Sequence, residues 1–294
     1  MIRNVLSARA VVLQIVCVAT ISGAACAQTN SLAEAISPGQ AISSRQVVSP
    51  GQVVSPAQVT SPSERIFERA DWVFNNAEQV HYGHRQASAG KQVKSFSNGR
   101  CEADTDCSGF VSYVLSEFPR QYEAIRILQP ERKYPQAKIY MQFFNALKSD
   151  VPISGWMKVN QIADLRRGDF IAWKKPQPAD GVKRKSNTGH VAIVIDRQGP
   201  IEETQIDGKT IRYQSINVID SSSVKHFQPE QLPPLSMMPH RDGVGKGVVR
   251  IILDGSNRPI GYWEGTYWYQ GSKEIRKPTF TESIAFARLV ADSN

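Results

Sequence analysis

Apolar positions recur along this chain with two different periods, and the change of period divides it. From residue 62 onward, Ile66, Phe67, Ala70, Val73, Phe74 and Ala77 are spaced three and four apart. That spacing predicts an amphipathic helix, with Ser61 or Ser63 as its cap and Pro62 in its first turn. A second helix is predicted to start at Asp106-Cys107-Ser108-Gly109-Phe110 and to bury Val111, Tyr113, Val114, Leu115 and Phe118 along one side. A third is predicted over 135–148, with Ile139, Tyr140, Phe143, Phe144 and Leu147 inward. Beyond residue 165 the helical period disappears. Residues 170–173, 191–195, 211–219, 248–253 and 259–263 read as strands, the last two flanking the hairpin turn Asp254-Gly255-Ser256-Asn257. The segment 80–100, rich in Gly, Ser, Lys and Gln, reads as a loop leading into the second helix. Helices first and an antiparallel sheet afterwards predict an α+β fold with the cysteine-bearing helix packed on the sheet.

Outside this periodic region the pattern gives other assignments. Arg3 and Arg9 precede an apolar run over 10–21 that is too short for a membrane span. Ala25-Cys26-Ala27 follows as an A-x-A cleavage signal, so 1–27 is expected to be a secretory signal peptide with Gln28 as the first mature residue. A retained anchor, or lipidation at Cys26 within Gly23-Ala24-Ala25-Cys26, is the alternative that would tether the chain to a membrane. Residues 28–62 are expected to form a spacer. Ser37-Pro38-Gly39-Gln40 recurs at Ser49 and, as Ser-Pro-Ala-Gln, at Ser55; such units lack aromatic residues and cannot bury a core. The domain is expected over 63–294, with a basic insertion at 174–188 and a Pro/Met-rich one at 225–246.

Composition adds two constraints. With 41% hydrophobic residues in 294, the chain is long enough for a sizeable core. Its formal charge is +8; loss of Arg3 and Arg9 with the leader leaves 33 basic against 27 acidic residues, a net of +6. That charge suits an anionic polymer partner. Aromatic residues do not interleave the basic stretch, which together with export argues against nucleic acid.

The candidate chemistry centres on Cys107. As the first residue of a helix capped by Asp106, its sulfur lies at the positive end of the helix dipole, where a negative sulfur is favoured. Small Ser108 and Gly109 beside it leave room for a substrate. A lone cysteine at a helix start is more often structural, so the reading turns on a base. His190 opens the most apolar strand of the protein, where a buried imidazole needs a partner. Asp220 ends the apolar run Ile216 to Ile219, and a neighbouring strand would let it reach one ring nitrogen of His190. Read singly, His190 is also a strand-edge histidine and Asp220 a turn-initiating acid before serines. Cys101 and Cys107 are expected to be free thiols or a reversible bridge. A zinc site from His81, His84, Cys101 and Cys107 is disfavoured by the Cys-x5-Cys spacing.

Asp106-Cys107-Ser108-Gly109-Phe110, then Asp164-Leu165-Arg166-Arg167-Gly168-Asp169, then Gly189-His190-Val191-Ala192-Ile193-Val194 together resemble the NlpC-type family of papain-like bacterial cell-wall cysteine peptidases. The resemblance spans about 66–223. It implies a papain-like fold, Cys107 as nucleophile, His190 as general base and Asp220 as the third residue. It also implies that Tyr82 helps hold the oxyanion and that the substrate is a peptidoglycan stem peptide, commonly cut between D-glutamate and a diamino acid. No cofactor or metal is expected. The chain departs from the pattern in lacking Gly-Gly after Tyr82 and in carrying Arg167 where proline is frequent. An amidase or acyltransferase using the same triad, or a non-catalytic wall-binding domain, is the alternative.

Overall fold

The computed structural model describes residues 60–83, 93–176, 188–223, 242–263 and 278–291, all within the compact unit Pro56–Asn294. The leader, Cys26, the spacer up to residue 59, His84, His226, His240 and the centres of both insertions (177–187 and 224–241) lie outside the described residues. The architecture is α+β. Helix α1 (Pro62–Asn76) leads into a three-stranded sheet of β1 (Ala77–His81), β2 (Val93–Ser95) and β3 (Cys101–Asp104). Helices α2 (Cys107–Leu115), α3 (Pro119–Arg126) and α4 (Ala137–Ala146) follow. The strands β4 (Trp156–Val159), β5 (Phe170–Lys174), β6 (Gly189–Ile206), β7 (Lys209–Ser222), β8 (Gly243–Leu253), β9 (Pro259–Trp263), β10 (Thr279–Phe280) and β11 (Ile284–Leu289) then build the large sheet. Its order is β10-β9-β8-β7-β6-β5-β11-β4, and each neighbouring pair is antiparallel. Among the described residues no helix is long and apolar enough to cross a membrane.

Local chemistry accounts for the helix starts. The Ser61 hydroxyl accepts the N–H of Glu64 at 3.2 Å, Pro62 takes the first position, and α1 buries Ile66, Ala70 and Val73. Strand alternation then divides the core into two layers. Phe170 and Ala172 on β5, with Val191 and Ile193 on β6, face the helices in one cluster, while Ile171, Ala192 and Val194 point to a second cluster on the opposite face. Trp156, Phe144 and Phe170 meet at ring distances of 5.2–6.0 Å, and the Trp156 indole donates to the Gln121 carbonyl at 2.9 Å. That bond fixes α3 to the start of β4.

Several expectations are corrected by the structure. Segment 80–100 is not wholly a loop, because β1 and β2 carry part of it; both are short and mostly exposed, so they show no apolar alternation. Ala77 leaves the helix and opens β1, its N–H bonded to the Val73 carbonyl. Gly243 to Lys246, placed in the Pro/Met-rich insertion, belong to β8, where Lys246 pairs with Asp71 at 2.7 Å. Lys174 likewise belongs to β5 rather than to the basic insertion. Asp220, expected to end its strand, is followed by two more residues of β7, Ser221 and Ser222. Strand β11, the last in the chain, lies between β5 and β4. It is anchored by Arg288, whose Nε and Nη2 donate to the fully buried Asp169 carboxylate at 2.8 and 2.7 Å.

Candidate active site

The pairing of β1 with β3 prepares the start of α2. The two strands run parallel with His81 opposite Asp104, and the Thr105 N–H continues the ladder by donating to the His81 carbonyl at 3.0 Å. This carries Tyr82, the residue after β1, alongside the turn that enters α2. Asp106 then caps the helix. Its Oδ1 accepts the Gly109 N–H at 2.7 Å and the Ser108 hydroxyl at 3.0 Å. Both bonds satisfy the orphan donors of a first turn, and the carboxylate sits at the positive helix end. Asp106 and Ser108 therefore shape the turn that presents Cys107. The sulfur-bearing residue itself is 4% exposed.

The other half of the site comes from β6 and β7. These strands pair antiparallel with Ile193 opposite Ile219, so His190 and Asp220 lie diagonally across the end of the ladder on one face. Their side chains meet: His190 Nε2 and Asp220 Oδ2 share a hydrogen bond. His190 also has Cys107 as a hydrogen-bonding partner. With Nε2 engaged by Asp220, Nδ1 is the ring nitrogen left for the thiol. His190 and Asp220 are 8% and 7% exposed. Burial alone would push the imidazolium down, but the negative charges of Cys107 and Asp220 outweigh it and hold His190 well above its ordinary range.

Supporting contacts fix this geometry. A β-carbon on Gly189 would fall 2.0 Å from the Trp173 carbonyl oxygen, so only glycine lets β6 approach β5 here. The Trp173 ring covers His190 at 4.9 Å between centroids, and Tyr262 packs on Trp173 at the same distance. One residue beyond Asp220, the Ser221 hydroxyl donates to the Thr105 carbonyl at 2.7 Å, tying the acid's strand to the turn that holds Cys107. Both Ser221 and Thr105 are fully buried. A β-carbon on Gly109 would fall 2.4 Å from Thr105 Oγ1, so a side chain two residues after Cys107 would displace the Thr105 hydroxyl; Tyr134 Cζ lies 3.4 Å from the same point.

Cys107, His190 and Asp220, chosen from three distant parts of the sequence, are thus brought together, with Tyr82, Asp106 and Ser108 at the same helix start. Thr105, Ser221, Trp173 and Tyr134 were not read as part of the site. Trp173 alone had a signal: it closes the predicted strand 170–173, and in the structure it is the residue paired with His190 across β5 and β6. No protein-family model, curated protein or solved structure matches the chain.

Cys101 is a different kind of thiol. It is free, as is Cys107, and wholly buried on β3; burial and then the Glu78 charge push its thiol up. Among the described residues no group of three His, Cys, Asp or Glu side chains is placed to hold a metal ion. An open cleft of about 410 Å³ lies towards the opposite end of α2, lined by Arg65, Glu68, Arg69, Trp72, Tyr113 and Glu117. Arg65 and Arg69 in it both pair with Glu117, and it is separate from the Cys107 turn.

Proposed function

We propose that this chain is a papain-like cysteine hydrolase that cleaves amide bonds in peptidoglycan stem peptides. The observation that carries the reading is the buried His190 ring, which has Asp220 on Nε2 and Cys107 as its other partner. An ordered acid–imidazole–thiol series supplies a nucleophile, a proton carrier and an orienting group. The Cys107 sulfur attacks the amide carbon, forming a C–S bond, and His190 passes its proton to the leaving amine as the C–N bond breaks. Water then attacks the thioester, His190 takes a proton from it, and the C–S bond breaks to return the sulfur and release the acid. The oxyanion of each step faces the backbone N–H groups at the start of α2, with Tyr82 beside them. One such donor is worth roughly a hundredfold to a thousandfold in rate.

The substrate class rests on the three motifs given above, on the secretory leader expected over 1–27, and on the basic charge, which favours an anionic wall polymer. The bond between D-glutamate and a diamino acid is the expected cleavage point. Digestion of purified muropeptides followed by mass spectrometry tests it. The wild type should release shortened stem peptides and Cys107→Ala none. Intact muropeptides after wild-type digestion would remove the substrate assignment, and full cleavage by Cys107→Ala would remove the mechanism.

A further inference from the structure

Tyr134 lies in the connection between α3 and α4, away from every motif that marks the site in sequence. It nevertheless reaches the first turn of α2. Its Cζ, the ring carbon that bears the hydroxyl, is 3.4 Å from the point where a Gly109 β-carbon would stand. That distance is van der Waals contact, so the ring packs on the first turn of α2 at Gly109. The phenol feels the charges of both Asp106 and Cys107. Burial and those two charges push it upward, so it stays a neutral donor across the working range of a hydrolase. The connection is braced: Gln129 Oε1 accepts the Gln136 N–H, and Gln129 Nε2 donates to Gln136 Oε1, both at 3.0 Å. Gln129 is itself buried. Tyr134 is thus held between two cross-linked positions.

Its hydroxyl differs from those of the neighbouring tyrosines. Tyr140 and Tyr122 both bond Ser112, and Tyr213 donates to Glu202 at 2.9 Å. Among the described residues the half-buried Tyr134 hydroxyl has no hydrogen-bond partner. A half-buried donor that packs on the nucleophile's turn and has no acceptor among the described residues is placed to serve a ligand.

We infer that Tyr134 is a substrate-contacting residue, its phenol donating a hydrogen bond to a carbonyl or carboxylate oxygen of the acyl portion of the substrate beside Cys107. The inference rests on Cys107 being the nucleophile but not on the substrate being a muropeptide, and the test keeps the two apart. Wild type and Tyr134→Phe, which retains the ring, are alkylated at Cys107 with iodoacetamide and, separately, with a dipeptidyl acyloxymethyl ketone. The ketone reagent must lodge a peptide carbonyl in the site; iodoacetamide need not. The expected result is a threefold to tenfold slower ketone reaction in Tyr134→Phe, the range of one net hydrogen bond, with the iodoacetamide rate unchanged. Equal ketone rates in the two proteins would overturn the inference, as would an equal slowing with both reagents, or a wild type that reacts with iodoacetamide but not with the ketone. A wild type inert towards muropeptides but showing the expected difference would leave Tyr134 in place and remove only the substrate assignment.

Discussion

Gly109→Ala asks whether the turn that presents Cys107 is set by close packing. In an ordinary helix interior this change stabilises by about 1 kcal/mol, because alanine has the better propensity. Here the new methyl would stand 2.4 Å from Thr105 Oγ1, 3.3 Å from Asp106 Oδ1 and 3.4 Å from Tyr134 Cζ. Thr105 is fully buried, and its hydroxyl donates to the Asp106 carbonyl at 3.0 Å. Turning that hydroxyl away forfeits the bond and buries a polar group, at about 1–3 kcal/mol, with roughly 0.5–1.5 kcal/mol more if the side chain leaves its rotamer. The losses exceed the propensity gain, so the expected net effect is a destabilisation of about 1–3 kcal/mol. Urea titration with an unchanged slope measures it, and the alkylation rate of Cys107 reports the site. The double variant Thr105→Ala/Gly109→Ala removes the obstructing oxygen and should recover at least about 1 kcal/mol relative to the sum of the single changes. A Gly109→Ala protein as stable as wild type, or more stable, with an unchanged alkylation rate would refute the reasoning.

Other expected outcomes follow from the same contacts. Ser221→Ala leaves the buried Thr105 carbonyl without its 2.7 Å donor; it should cost about 1–3 kcal/mol in stability and lower kcat/KM, measured on one preparation. Burial pushes the Asp169 carboxyl up while the bond to it raises Arg288, so the pair as a whole is near break-even. Removing one partner is another matter: Arg288→Met should destabilise by about 3–5 kcal/mol and loosen β11, and the double variant with Asp169→Leu should recover most of it. The raised His190 gives a pH signature. Its stabilising contribution is complete below the unfolded histidine value of about 6.5 and is lost as pH rises through the higher folded value. The midpoint of thermal unfolding should therefore fall on the alkaline side, and in Asp220→Asn the fall should begin at lower pH; identical profiles would count against the pairing.

The parts of this fold that bury a regular apolar face were legible in the sequence. Helices α1, α2 and α4 and the strands β5 to β9 all carry it, and Ser61 and Asp106 mark their helix starts by residue type alone. Strands β1 and β2 were not legible because they are short and mostly exposed, and pairing with β3 rather than an apolar face holds them. Helix α3 buries only Gln121 and Ile125, too little to make a period. Strand β11 hides its inward positions in Ala285 and Ala287, and its place between β5 and β4 is a long-range pairing that no local pattern encodes. In the site, Cys107, His190 and Asp220 were visible because each puts a polar group beside an apolar run. Thr105, Ser221 and Tyr134 act through contacts set by tertiary packing. Ser221 meets Thr105 across 116 positions, and Tyr134 reaches the first turn of α2 at Gly109 from a connection that carries no motif.

The most direct test of Cys107 as the nucleophile is to trap the acyl-enzyme. Wild-type protein mixed with stem peptide, quenched in acid and digested should yield a Cys107-containing peptide heavier by the acyl fragment, and Cys107→Ala should give neither adduct nor product. Products released while Cys107 stays unmodified at every quench time, together with undiminished turnover by Cys107→Ala, would contradict the assignment.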